Sequence, residues 1–449
     1  MKAAVAAGHP ATVDAGIEIL EDGGNAADAA VAASLASCVA ETVMTGLLGG
    51  GHAIVLFGDE IRTLDFFVAV PGLGAEPQAI ELERLEVPFG IEVVHYAIGI
   101  GSCGVPGVLA GLGELWRRDG SLPWARLVEP ALRLARGGVD FPPAHAACLK
   151  MLSPVMTMRE GERIYSPAGR LLEAGERLQQ PGLVAALEAA AEEGPASPTL
   201  EAALLSLMEE RGGLVTREDI RSYEPVWGEP GRIELGSTEI VSRVGLASPL
   251  PALARLRGTD PVSIAKALAN GADRSGDTTN ITVVDGEGNA VVLTTSLGLG
   301  SGDWLPGLDL HLNSMLGETD LVVGDLVPGG RMASMMAPTL AFDGEGLALA
   351  LGAAGGTRLR SALVQVVAGI LHQDLSARDA VERPRLHPVG DLVHLEPGFP
   401  DDLPAAFGAA GFAVRLWPSL HHYFGGVSAV SRHGAAGDPR RSGSARHPR

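Results

Sequence analysis

Thr278 follows the polar stretch GADRSGD (271–277) and opens the run Thr278-Thr279-Asn280-Ile281-Thr282-Val283-Val284-Asp285. A threonine hydroxyl is a weak nucleophile at neutral pH and needs a base beside it. If the bond between Asp277 and Thr278 is broken, the freed α-amine has a reference pKa of about 7.7–8.0 and can take the proton of its own residue's hydroxyl. One residue then supplies nucleophile and base, so little positional entropy is lost in bringing them together. On local composition alone, two threonines at the start of a strand are ordinary β-branched residues suited to a sheet, and spacing does not reveal self-cleavage. A second pair, Gly355-Gly356, lets backbone N–H groups approach a carbonyl oxygen that gains negative charge during acyl transfer. One such donor is worth about 2.7–4 kcal/mol, although a glycine pair is also a common turn between strand and helix.

The elements around these residues are readable from periodicity. Residues 13–40 and 106–158 carry helical patterns, with further amphipathic helices at 182–193, 199–211 and 261–270. Residues 52–57 and 61–70 read as a hairpin, with another short strand near 239–241. After residue 278 the β-branched runs 279–284 and 290–296 flank Asp285-Gly286-Glu287-Gly288, a strong hairpin signal. Strands are expected at 307–312, 338–343, 347–351, 392–395, 412–416 and 425–431, helices at 358–372 and 376–381, and a mobile polar tail in PRRSGSARHPR. Helices dominate before residue 270 and hairpins after it, which suits helices layered over antiparallel sheets. The stretch 271–277 is the natural boundary between two segments, 1–277 and 278–449, expected to fold as one intertwined unit.

Composition narrows the function. The chain has 449 residues, 46% hydrophobic and 20% charged, enough for a large buried core. Its formal net charge of −20 argues against nucleic acid or an anionic membrane surface as partner, but not against an anionic small molecule held by a local positive site. Three scattered cysteines, Cys38, Cys103 and Cys148, do not form a disulfide framework or a metal spacing, and the twelve histidines show no metal pattern. No Gly-x-Ser-x-Gly elbow or phosphate-binding Gly-Lys-Ser/Thr follows the glycine-rich stretches. No cofactor or metal is called for. The opening apolar run is too short for a signal segment and no apolar run is long enough to span a bilayer, so a cytoplasmic location is expected.

Seven segments together resemble the gamma-glutamyltransferase family of N-terminal-nucleophile hydrolases. They are VAAGHPATVDAGIEILEDGGNAADAAVAAS near the start, TGLLGGGHAIVLF (45–57), GVPGVLAGLGELWRRDG (104–120), TTNITVVDGEGNAVVLTTSLG from Thr278, GGRMASMMAPT (329–339), GAAGGTRLRS (352–361) and AVERPRLHP (380–388), with DPRRSGSA (438–445) as a further match. The resemblance implies an αββα sandwich of antiparallel sheets flanked by helices. It implies scission between Asp277 and Thr278, with Thr278 as nucleophile. It places Ser296 as the supporting hydroxyl, Gly355 and Gly356 as the oxyanion pair, and Ser334 in the substrate-binding loop. The two fragments would remain together as a heterodimer, alone or in a larger assembly, acting on a small amide or peptide.

The departures from the family concern the substrate. Phe67 stands where the family's donor-clamping arginine would be, Gly298 replaces an asparagine two residues after Ser296, and Met335 replaces the second serine of the binding loop. Glu318 is the candidate for the acid that binds the donor's amine. Asn280 replaces the usual histidine, and only about ten residues of lid separate Glu318 from Gly329. A planar bidentate cation has given way to an apolar ring. The expectation is an amidohydrolase or acyltransferase for a gamma-glutamyl or related amide, with altered acyl specificity. Arg331 and Arg358 are candidate replacement cations. The alternatives are an acylase for a non-glutamyl amide, or a homologue that binds without maturing.

Overall fold

The computed structural model describes residues 1–76, 82–89, 92–269, 278–356 and 358–449. Asp277, and with it the boundary expected at 271–277, lies outside the described residues.

Two antiparallel sheets are stacked face to face. The first contains β1 (Ala4–Ala7), β2 (Gly50–Phe57), β3 (Glu60–Phe66), β4 (Val226–Gly228), β7 (Thr279–Val284), β8 (Ala290–Ser296) and β13 (Ser444–Arg446), in the order β13-β1-β7-β8-β2-β3-β4. The second contains β5 (Gly231–Leu235), β6 (Thr238–Ser242), β9 (Thr339–Asp343), β10 (Gly346–Ala354), β11 (Gly426–Ser431) and β12 (Gly434–Gly437), in the order β12-β11-β10-β9-β6-β5. Strands from both sides of residue 278 therefore share one ladder: β7 pairs with β1 on one edge and β8 on the other.

Strand alternation sorts side chains into layers. Val284, Ala290 and Val292 meet Val241, Leu340, Ala350 and Val430 between the sheets. Ile281, Val283, Val291 and Leu293 face the other way, onto α1 (Pro10–Glu21) and α2 (Ala26–Ala40). On the far side, Leu349, Leu351, Val427 and Ala429 pack against α3 (Arg358–Gln373). The result is the four-layer sandwich expected from the sequence. α2 is buried on every face, as its run of small residues allows, and begins with a capping box in which Asn25 and Asp28 exchange side-chain and backbone hydrogen bonds.

Some expectations require correction. The tail is ordered: Arg440 and Arg441 are buried, and β13 pairs with β1. Buried charge explains this, because Arg440 pairs with Glu396 and Asp438, while Arg385 pairs with Asp438 at 2.5 Å. The second strand of the first hairpin ends at Phe66 rather than residue 70, where the Asp65 carboxylate accepts the Phe67 N–H at 2.9 Å and turns the chain. Residues 307–312 hold only a two-residue strand, Leu310–His311, paired with Trp304–Leu305. The hairpin of Glu83–Phe89 and Glu92–Ile98 was not anticipated.

Candidate active site

The register of β7 and β8 pairs Thr279 with Thr295, so one residue further Thr278 stands opposite Ser296. Alternation turns Thr278 away from the helical layer and Thr279 towards it. The Thr278 Oγ accepts a hydrogen bond from the Gly355 N–H at 2.9 Å. Gly355 has φ +122, and a Cβ there would lie 2.9 Å from the Gly425 Cα, so only glycine brings this N–H to the hydroxyl. A donor aimed at the hydroxyl oxygen favours that oxygen as it loses its proton. The resemblance implied that this N–H serves the substrate's oxyanion; in the structure it donates to the Thr278 hydroxyl.

A small cavity of about 20 Å³ opens in front of Thr278 and brings together Ser296, Gly356, Phe67, Glu318, Ser334 and Met335. Met315, Leu321, Met336 and Leu359 complete a mostly apolar wall. Of the expected site residues that are described, Gly298 and Gly355 do not line this wall; Gly298 lies beside it. It turns the chain with φ +70, and a Cβ there would sit 2.6 Å from Glu318 Oε1 and 2.7 Å from Ser314 Oγ. Its contribution is room for Glu318, and its N–H donates to Ser296 Oγ at 2.9 Å. Asn280 donates to the Leu293 carbonyl at 3.0 Å and to Thr294 at 2.9 Å, tying β7 to β8 behind the site.

Phe67 is buried and stacks on His52, with ring centroids 5.5 Å apart. Burial, reinforced by the Arg243 and Arg331 cations, pushes the His52 pKa well below its ordinary value, so the imidazole beneath Phe67 is neutral. Neither cation expected from the sequence is placed to grip a substrate carboxylate. Arg331 donates to the Phe67 and Glu224 carbonyls, lies 3.4 Å from Asp65 and covers the Tyr223 ring. Arg358 is buried, donates to the Tyr423 carbonyl at 3.1 Å and lies over its ring.

Two charged residues at the site were missed by the sequence reading. Arg243, just after β6, donates to the carbonyls of Met336 at 3.1 Å and Ser334 at 3.3 Å, fixing the wall that carries Met335. Burial lowers its pKa to about 10 against the opposing pull of Asp65. No pattern in TEIVSR marked it. Glu41, which caps the C-terminus of α2, is fully buried. It accepts hydrogen bonds from the Thr12 hydroxyl, at 2.7 Å, and from the Thr279 hydroxyl. Burial raises its pKa to about 7, opposed by the two hydroxyls and by Arg441. A lone acid within the otherwise uncharged ASCVAETVM was the available signal.

Two stacked antiparallel sheets between helical layers, with a threonine at the head of an inner strand, define the N-terminal-nucleophile hydrolase class. Within it, the chain belongs to the gamma-glutamyltranspeptidase family, whose sequence model matches residues 12–254 and 255–447. It is 28% identical to the acylase ACY 1 proenzyme of Pseudomonas sp. strain SE83, across 95% of this chain and 89% of the relative. It is 24% identical to the glutathione hydrolase proenzyme of Bacillus subtilis, across 96% and 90% respectively. The fold matches the crystal structure of cephalosporin acylase from Bacillus halodurans with a TM-score of 0.85, at 22% identity, over 99% of this chain and 95% of that one.

Proposed function

We propose that this protein is a self-processing amidohydrolase that uses Thr278 as its nucleophile and takes amides with a small apolar acyl group. In maturation the Thr278 Oγ adds to the Asp277 carbonyl carbon and the Oγ proton passes to the departing nitrogen. Water then hydrolyses the ester, leaving the Asp277 carboxylate and a free Thr278 amine. In turnover that amine takes the Oγ proton, Oγ attacks the substrate carbonyl and the proton goes to the leaving amine. Water releases the acyl group, and transfer to an amine is the same second step with another nucleophile. The Gly355 N–H held at 2.9 Å from Thr278 Oγ carries this reading, because it prepares that oxygen to bear charge.

The apolar preference rests on the wall of Phe67, Met315, Met335 and Met336, and on the engagement of Arg331 and Arg358 elsewhere. Two relatives are named as an acylase and a glutathione hydrolase proenzyme, which suits amide chemistry after processing. Glu318 and Ser334 in the same wall favour the second reading, a gamma-glutamyl donor whose amine meets the carboxylate. Denaturing mass spectrometry tests maturation: fragments 1–277 and 278–449 should appear in the wild type and be absent from Thr278→Ala. Paired p-nitroanilides test the acyl group, with hexanoyl expected to exceed gamma-glutamyl in kcat/KM. The reverse order would establish the second reading. A cytoplasmic location is part of the proposal and is tested by fractionation; among the described residues no helix is long and apolar enough to cross a membrane.

A further inference from the structure

Thr278 and Thr279 point to opposite faces of β7, so the catalytic cavity accounts for only one of them. On the other face Thr279 enters a sealed polar cluster. Its hydroxyl donates to Glu41, which also receives the Thr12 hydroxyl at 2.7 Å, joining β7 to both α1 and α2. Gly8 makes space for the carboxylate, since a Cβ there would collide with it. A second small cavity is lined by Gly8, Met44, Thr278, Thr279 and Arg441. The strand that presents the nucleophile is thus held from behind by a single buried acid at a helix C-terminus, where the helix dipole opposes negative charge. An apolar pair would hold a strand without burying a carboxylate, so packing alone does not explain the choice.

We infer that Glu41 is a positioning residue for self-scission: its ionised form, accepting hydroxyls with both oxygens, anchors Thr279 and so fixes the neighbouring Thr278 for the reaction. Protonation converts one of those oxygens to a donor, so one of the two hydroxyls must give up donating to it and its hydrogen bond weakens or reverses. The inference rests on Thr278-dependent scission as proposed above. The other groups around the carboxylate keep their charge through neutral pH. Burial and Glu41 itself push the Cys38 thiol up to about 12. Burial holds His145 down at about 3, which keeps that imidazole neutral, and lowers His9. Glu41, raised to about 7, is the group that changes state.

The test follows scission in pulse-labelled cell-free synthesis of the full chain, buffered between pH 6 and 8.5, by the appearance of fragment 278–449. Wild-type scission should accelerate roughly tenfold from pH 6 to 8, as one group of this pKa ionises. Glu41→Gln should be at least tenfold slower at pH 8 and flat with pH, the scale expected when a reacting group is slightly misplaced. Thr279→Val should behave like Glu41→Gln, and Thr279→Ser, which keeps the hydroxyl, should retain the acceleration. If Glu41→Gln fails to fold, the Val and Ser pair decides. Wild-type rates and acceleration in Glu41→Gln or Thr279→Val overturn the role of Glu41 and leave Thr278 chemistry intact. A wild type that yields no fragment, like Thr278→Ala, overturns self-scission and this inference with it.

Discussion

Replacing Glu41 by glutamine should make the protein relatively more stable as pH rises. The fold raises this carboxyl from 4.5 to about 7 because burial disfavours its charge. A raised acid favours the native state when protonated, so its contribution is fully present below pH 4.5 and is lost as pH climbs through about 7. A shift of roughly 2.5 units at about 1.36 kcal/mol per unit caps the effect near 3.4 kcal/mol, of which ~2.5 kcal/mol falls between pH 5 and pH 8. Glutamine keeps the shape and one acceptor but has no charge to bury. Both proteins should carry Thr278→Ala so that neither is cut, and urea unfolding at the two pH values then gives the comparison. The stability difference, variant minus wild type, should move by about 2 to 3 kcal/mol in the variant's favour from pH 5 to 8. All other titrating groups cancel. Parallel pH dependences would show that Glu41 titrates in the fold as it does in the unfolded chain, and the argument from burial would fail.

Other perturbations have equally definite outcomes. Gly355→Ala, at φ +122 and facing the Gly425 Cα at 2.9 Å, should displace the N–H from Thr278 and reduce turnover by about a hundredfold or more, measured as kcat on whichever anilide is cleaved. Met335→Ala should deepen the cavity and move the preferred acyl chain to a longer one, read as kcat/KM across butanoyl, hexanoyl and octanoyl anilides, with the short chain losing most. Asp438→Asn removes the buried partner of Arg385 and Arg440 and should lower stability by about 3–5 kcal/mol in urea unfolding.

The inner sheet was legible because strands 279–284 and 290–296 are almost wholly β-branched or apolar and flank a turn whose residues allow only a hairpin. The residues that meet in the front cavity were legible through motifs: Thr278, Ser296, Ser334, Met335 and Gly356 lie in segments with a family pattern, and Phe67 was visible as a substitution within one. What stayed hidden depends on partners distant in sequence. Arg440 reads as a solvated tail residue until Glu396 is brought beside it. Arg331 reads as an available cation until the Phe67 and Glu224 carbonyls take its donors. Glu41 reads as an interruption in a helix, because neither Thr12 nor Thr279 is near it in the chain.

The chain ends lie side by side: Val5 pairs with Arg446, and His447 Nδ1 is 2.7 Å from the Ala3 carbonyl oxygen. A short linker from Arg449 back to Met1 would therefore follow an existing seam. A gene rearranged in this way could begin at codon 278 and end at codon 277, with removal of the initiator methionine exposing the threonine amine directly. In such a permutant the Thr278 amine would be free without any backbone cut, and comparison with the natural order would separate the proposed scission from the activity proposed to follow it.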